Sequence, residues 1–147
     1  MIQLKPVDRD NFRAVLKLSV SEDQKRFVAS NAFSLAQAYA QPECTPLAVY
    51  SGDALVGFVM YAMDEEDKEY CIYRVMIAAD HQGKGYGRAA MLKLIEHIRE
   101  DRSHHVIYIS FVPENAPARA LYESLGFRPD GRIIEGEVVM MLEEQQA

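Results

Sequence analysis

The strongest chemical signal in the chain is Val75-Met76-Ile77-Ala78-Ala79-Asp80-His81-Gln82-Gly83-Lys84-Gly85-Tyr86-Gly87-Arg88. An apolar run enters a turn holding Gly83, Gly85 and Gly87, and the turn opens an amphipathic stretch. Glycines there permit positive φ and let a ligand approach the backbone closely. The start of the next helix adds unpaired N–H groups and the positive end of the dipole. Together they predict an anion site suited to a phosphate or pyrophosphate. A tight strand–helix turn that binds nothing would show the same local pattern. A nucleotide P-loop is excluded, because no Ser or Thr follows the Gly83-Lys84 pair in the required frame. Gly85-Tyr86-Gly87-Arg88-Ala89-Ala90 matches the dinucleotide fingerprint G-x-G-x-x-A. That match is weak: the next expected strand, His105 to Val112, ends without an acidic residue, and too little chain follows for a doubly wound sheet.

Other reactive constellations are missing. His81, His97, His104 and His105 have no metal-ligand spacing with cysteine or acidic partners, so no metal is expected. No G-x-S-x-G nucleophile turn occurs. Cys44 and Cys71 are too few for a disulfide framework, and Cys71 sits in an apolar run as a small core residue would. The run Asp64, Glu65, Glu66, Asp67 and Glu69 suits either a cationic ligand or a solvated hairpin loop. A formal net charge of −6 argues against nucleic acid as partner and permits a cationic small molecule.

The 147 residues amount to one domain. No apolar run approaches the roughly 18 residues of a membrane span, and Met1 to Asp8 has no signal-peptide core, so the expected compartment is the cytoplasm. Hydrophobic periodicity lays out the elements that must position the glycine turn. Ile2 to Lys5 reads as a strand, Asp10 to Leu18 as a helix, and Ser19 to Ala32 as a loop or short helix. Ser34 to Ala40 reads as a second helix with Ser34 near its start. Pro46 to Tyr50 and Ala54 to Met63 flank the hairpin signal Ser51-Gly52-Asp53, and Glu69 to Ile77 is a third strand. Arg88 to Arg99 is the clearest helix. His105 to Val112 follows as a strand, and Ala116 to Leu125 as a helix with Pro117 early and Gly126 just past its end. Phe127 to Ile134 contains another strand, and Gly136 to Leu142 closes the sheet. The order predicts an α/β domain of the α+β type: a mixed, mostly antiparallel sheet flanked by about four helices.

Gln82-x-x-Gly85-x-Gly87 resembles the Q/R-x-x-G-x-G/A pyrophosphate loop of the GNAT superfamily of acetyl-CoA-dependent N-acetyltransferases. Asn115-x-x-Ala118-x-x-Leu121-Tyr122-x-x-x-Gly126-Phe127 is similar to that family's second cofactor segment, one helix and one strand later. The resemblance covers nearly the whole chain. Within the superfamily the pattern is most similar to bacterial spermine/spermidine N-acetyltransferases. Four stretches carry that: Val20-Ser21-Glu22-Asp23-Gln24 with Phe27-Val28, Leu55 to Tyr61, Arg74-x-x-Ile77 leading into Gln82-Gly83-Lys84-Gly85, and Gly131 to Met140.

The resemblance implies acetyl-CoA as cofactor, a primary amine as small-molecule substrate and a homodimer as assembly. It implies that backbone groups of Val75 and Ile77, with Met76 between them, pair with the pantetheine arm. Gln82, Gly83, Lys84, Gly85, Tyr86, Gly87 and Arg88 would hold the pyrophosphate, mainly by main-chain N–H. Asn115 would cap the last helix and touch the cofactor, and Arg119 would reach the adenosine phosphates or simply stand exposed. Tyr122 matches the family's catalytic tyrosine, and a phenol of ordinary pKa near 10 can protonate a leaving thiolate at neutral pH. Glu22 and Asp23, in the loop that covers the acceptor, and Glu69 and Tyr73 are the expected substrate contacts. Tyr73 stands where related polyamine enzymes often carry an acid, and no base is evident. With no activating neighbour for either cysteine, the amine should attack directly, without an acetyl-enzyme. The expected acceptor is a polyamine or diamine such as spermidine or spermine, and a peptide N-terminus, a lysine and an aminoglycoside are the alternatives. A non-catalytic acetyl-CoA module and a dinucleotide binder are the rivals from other classes.

Overall fold

In a computed structural model, residues 1–143 are described. The elements run β1 (Ile2–Pro6), α1 (Phe12–Lys17), α2 (Asn31–Ala40), β2 (Cys44–Ser51), β3 (Ala54–Met63), β4 (Tyr70–Ile77), α3 (Tyr86–Ile98), β5 (Val106–Phe111), α4 (Ala116–Ser124), β6 (Arg128–Ile134) and β7 (Glu137–Glu143). Short 3₁₀ turns cover Glu22–Gln24 and Ala79–His81. The strands form one seven-stranded sheet in the order β1-β2-β3-β4-β5-β7-β6. Every neighbouring pair is antiparallel except β4 and β5. This is the mixed, mostly antiparallel sheet with four helices that the sequence order predicts.

Both faces of the sheet are covered, which is why β3 reads as an almost unbroken apolar run. On one face Met91, Leu94, Ile95 and Ile98 of α3 pack on Val49, Val59, Ile72, Ile107 and Ile109, with Tyr122 of α4 beside them. On the other face Val15 of α1 meets Ala48, Phe58, Met60 and Met76. Each fully buried large side chain here contributes roughly 1.5–3 kcal/mol.

Two helix starts differ from expectation. Ser34 does not cap α2; it is buried within it. Ser30 is the cap, accepting from the Phe33 amide at 3.1 Å. Asn31, also buried, donates to the Val15 carbonyl at 2.9 Å and so closes the end of α1. Helix α3 begins at Tyr86, two residues ahead of the expected Arg88, because Gly85 takes φ +81° and turns the chain directly into the helix.

The pairing of β4 positions the site. Its ladder with β3 slips between Met60 and Tyr61, leaving Tyr73 as the extra residue of a bulge. Its parallel ladder with β5 holds only Tyr70, Cys71 and Ile72, opposite Ile107, Tyr108 and Ile109. Beyond Ile72 the two strands part. The carboxyl half of β4, Tyr73 to Ile77, keeps β3 on one side and leaves a gap on the other.

Candidate active site

Alternation along β4 decides which backbone groups face the gap. The Ala78 amide donates to the Val56 carbonyl on the β3 side at 2.9 Å. Main-chain groups alternate in direction along a strand, so Met76 faces β3, and Val75 and Ile77 face the gap. These two are the residues expected to pair with a pantetheine arm. The Ile77 carbonyl already accepts from Gln82 Nε2 at 2.9 Å, so Val75 is the more open of the pair.

The gap leads into the glycine turn. Gly83 and Gly85 adopt φ +79° and +81°, and no atom lies within 4 Å of a Cβ built on either. The turn is therefore an open cradle of backbone at the N-terminus of α3, and its residues Gly83, Lys84 and Gly85 are exposed. Open amides, a helix dipole and no side chain in the way fit a pyrophosphate. Gln82 braces the cradle from behind. Its side-chain amide exchanges two hydrogen bonds with Gln24 of the covering loop, at 3.1 and 2.9 Å.

Gly85 and Gly87 should respond differently to alanine. Gly85→Ala forces a Cβ into the left-handed region and is expected to destabilise by roughly 1–2 kcal/mol. At Gly87 a Cβ would meet Ile77 Cγ1 at 3.8 Å and Leu121 Cδ2 at 3.9 Å, ordinary contacts within a helix. Gly87→Ala is expected to stabilise by up to about 1 kcal/mol. Thermal melts of the two variants check this: one melting temperature falls and the other holds or rises.

A cavity of about 850 Å³ opens where β4 and β5 diverge. The 20–29 loop covers it, and Tyr73, Arg74, Ser110, Asn115, Tyr122 and Glu137 line its walls. Three carboxylates, Asp23, Glu114 and Glu137, and three cations, Lys25, Arg26 and Arg74, reach it. Of the three cations only Lys25 is in an ion pair. Lys25 pairs with Glu22 at 2.6 Å, Arg26 lies 4.4 Å from the Phe27 ring, and Arg74 donates to Gln37 and to the Tyr73 carbonyl. Among the described residues none of the three carboxylates and neither arginine is in an ion pair, so three carboxylates stand against two guanidinium groups and the balance in the cavity is one charge negative.

Tyr122 is 8% exposed, with Phe111 and Phe127 rings each 6.1 Å from its own. Burial, and then the charge of Glu137, push its phenol up to about 12. It therefore keeps its proton throughout the neutral range. Burial likewise pushes the Cys71 thiol up to about 12, with Asp64 and Glu137 adding to the rise. Cys44 is raised by burial and then by Glu43. Neither thiol is a ready nucleophile, since the thiolate is the reactive form.

Not every expected site residue reaches this cavity. Asp23 and Tyr73 do, but Glu22 points outward to Lys25. Glu69 is committed to structure: its Oε2 accepts from the amides of His105 and Val106 at 2.9 and 2.6 Å, tying the start of β4 to the start of β5. It stands at the closed end of the β4–β5 pair, away from the acceptor side. Tyr73 is raised by burial first, and holds its proton rather than accepting one. Asn115 caps α4 by accepting from the Ala118 amide at 3.3 Å, and it also lines the cavity. Arg119 runs along its own helix to Glu123 at 2.9 Å, and Arg88 reaches Ser124 at 2.6 Å. Cys71 is not the core residue expected: it is half-buried and lies outside both core clusters, on the cavity wall. The sequence reading missed Glu114 and Glu137 as cavity carboxylates. The signal for Glu137 was its place just after the Glu135-Gly136 turn, opening a strand next to the one before Asn115.

Known proteins resemble this chain in sequence and in fold. Residues 8–127 match the acetyltransferase (GNAT) family. The chain is 34% identical to the spermine/spermidine N(1)-acetyltransferase of Bacillus subtilis (strain 168), over 97% of this chain and 98% of that protein. A 63-residue stretch is 33% identical to the spermidine N(1)-acetyltransferase of Vibrio cholerae, over 43% of this chain and 36% of that protein. In fold it is similar to the spermidine N-acetyltransferase from Vibrio cholerae in complex with CoA and spermine, with a TM-score of 0.77 at 20% identity, covering 97% of this chain and 95% of that one.

Proposed function

The chain belongs to the GNAT acetyltransferase family, and from that premise we propose that it transfers the acetyl group of acetyl-CoA to a primary amine of a polyamine such as spermidine or spermine. The observation that carries the acceptor class is the cavity's three unpaired carboxylates, Asp23, Glu114 and Glu137. A polycation entering that cavity gains charge partners that a neutral amine would not use. The Bacillus relative named for spermine and spermidine supports the same class.

Acetyl-CoA supplies an activated thioester carbonyl and a thiol leaving group. The turn Gln82 to Gly87 holds its diphosphate by main-chain N–H, and Val75 aligns the arm along the open edge of β4. A main-chain N–H on that edge polarises the carbonyl oxygen as charge builds on it. Tyr122 reaches the cavity protonated and serves as the acid for sulfur. Attack is direct, because both cysteines are held as thiols. On this reading the protein works in the cytoplasm as a homodimer, as the resemblance to that family implies.

The test is an acceptor panel read by thiol release, with spermine, spermidine and a diamine beside a lysine peptide, a free peptide N-terminus and an aminoglycoside. The highest kcat/KM is expected for a polyamine, and absence of turnover on every polyamine would sink the acceptor class. Acetyl-CoA at a hundred times its Kd is expected to stabilise the fold by about 2.7 kcal/mol, whereas NAD should not.

A further inference from the structure

The acetylation reading leaves one proton unaccounted for. An alkylamine of pKa near 10.4 is neutral only about 0.04% of the time at pH 7, so a group in the cavity must take its proton. Tyr73 is raised by burial and Glu69 is held by two amides, so neither serves.

Glu137 opens β7 directly after the turn Glu135-Gly136, whose φ values of 50° and 80° fit a type I′ hairpin. That turn fixes where β7 starts and so where the carboxylate stands. Glu137 shares a sheet face with Val139, the ladder partner of Ser110. Ser110 Oγ donates to Glu137 Oε1 at 2.9 Å. Glu137 also lines the cavity. Its charge is felt by Tyr122 on α4 and by Arg74 and Cys71 on β4. The other two cavity carboxylates differ. Asp23 lies in the covering loop with Oδ1 accepting from Ser21 Oγ at 2.7 Å, and Glu114 precedes the cap of α4. Glu114 is exposed, whereas Glu137 is partly buried at the start of its strand.

We propose that Glu137 is the catalytic base, taking the ammonium proton of the acceptor within the cavity that it and Tyr122 both line. This rests on the acetyl-transfer reading above. Glu137 accepts one proton and frees the nitrogen lone pair, which forms the C–N bond to the acetyl carbon. The C–S bond breaks and its electron pair goes to sulfur. Tyr122 gives sulfur a proton, and the proton shed by the nitrogen as the amide forms replaces it. Glu137 passes its proton to water at the cavity mouth. The balance is one ammonium and one thioester consumed, and one amide, one thiol and one proton produced.

The experiment is Glu137→Gln, which keeps the shape and can still accept from Ser110. At pH 7 kcat/KM on the best amine of the panel is expected to fall about 10²-fold or more, with acetyl-CoA affinity unchanged. The deficit should shrink as pH rises toward the amine's own pKa. It should also shrink with 2,2,2-trifluoroethylamine, an acceptor already neutral at pH 7. Glu137→Ala with added formate is the second variant, and formate should restore part of the lost rate. A Glu137→Gln rate within about threefold of wild type overturns the proposal. So does a deficit that is the same at every pH and for the neutral amine, which is the signature of a merely structural or charge-anchoring role. If wild type acetylates some other amine and no polyamine, the polyamine reading fails, and Glu137→Gln is read on that other amine.

Discussion

Tyr122→Phe is expected to bind acetyl-CoA as wild type does and to lose about 10² to 10³ in kcat. The substitution removes one oxygen and leaves the ring that packs between Phe111 and Phe127. The phenol has no hydrogen-bond partner among the described residues, so its loss orphans no buried group and stability should hold to within about 1 kcal/mol. The size of the rate loss follows from the acid's strength. A phenol at about 12 is a weaker acid than an ordinary thiol. Complete transfer to a thiolate of pKa about 8.5 would be uphill by about 5 kcal/mol. Tyr122 therefore works by donating to sulfur as charge develops and by being reprotonated in the same motion. That places its contribution below the upper range for acid catalysis. The sign for pH is fixed as well. The acid must be protonated, its folded value lies above the ordinary 10, and so no loss of rate due to Tyr122 is expected between pH 7 and 10. Thiol-release kinetics beside calorimetric acetyl-CoA binding check both statements. A variant that keeps a third or more of wild-type kcat removes Tyr122 from the chemistry.

The parts of the fold that were legible are those in which one local cause dominates. Helix α3 announces itself through Met91, Leu94, Ile95 and Ile98, a full apolar stripe, and all four are buried. The turn after β2 is set by Gly52 at φ +60°, and α4 is bounded by the Asn115 cap and Gly126 at φ +101°. Where two local causes competed, the tertiary structure chose. The sequence pattern points to Ser34 as the cap, but Ser30 fills that place. Asn31 settles the matter by reaching across to the Val15 carbonyl, a contact invisible at short range.

The site divides in the same way. The anion cradle is a local object, made of consecutive residues in one turn, so spacing alone exposes it. The acceptor side is assembled from the covering loop, β4, β5 and β7, and only the sheet order brings them together. Glu69 and Glu137 illustrate the cost. Both are glutamates at strand starts, and nothing local separates them. The parallel start of β5 takes Glu69 for its own amides, while the Glu135-Gly136 turn delivers Glu137 to the open end of the cleft. Charge read along the chain picked the first; charge read across the sheet picks the second.

Gly57→Ala should be the most damaging small substitution in the sheet, and it couples the fold to the cofactor edge. Gly57 lies inside β3 between Val49 and Ile77, where a glycine ordinarily weakens a strand. Its reason is space. A Cβ there would stand 2.4 Å from the Met76 carbonyl oxygen and 2.8 Å from Ile77 Cδ1. The Ile77 side chain can rotate away, but the Met76 oxygen belongs to the backbone that faces β3, and it moves only if the strand moves. Overpacking of this kind costs about 3 kcal/mol. For a chain of this length that lowers the melting temperature by about 6 to 12 °C. The segment forced aside is the carboxyl half of β4, the same stretch that presents Val75 to the gap and anchors Gln82 through the Ile77 carbonyl. Acetyl-CoA affinity should therefore fall together with stability. Melting curves with and without saturating acetyl-CoA separate the two effects. A Gly57→Ala protein whose melting temperature stays within about 2 °C of wild type would mean that β3 and β4 can part at that point without loss, and that the edge of β4 is not held as rigidly as its pairing implies.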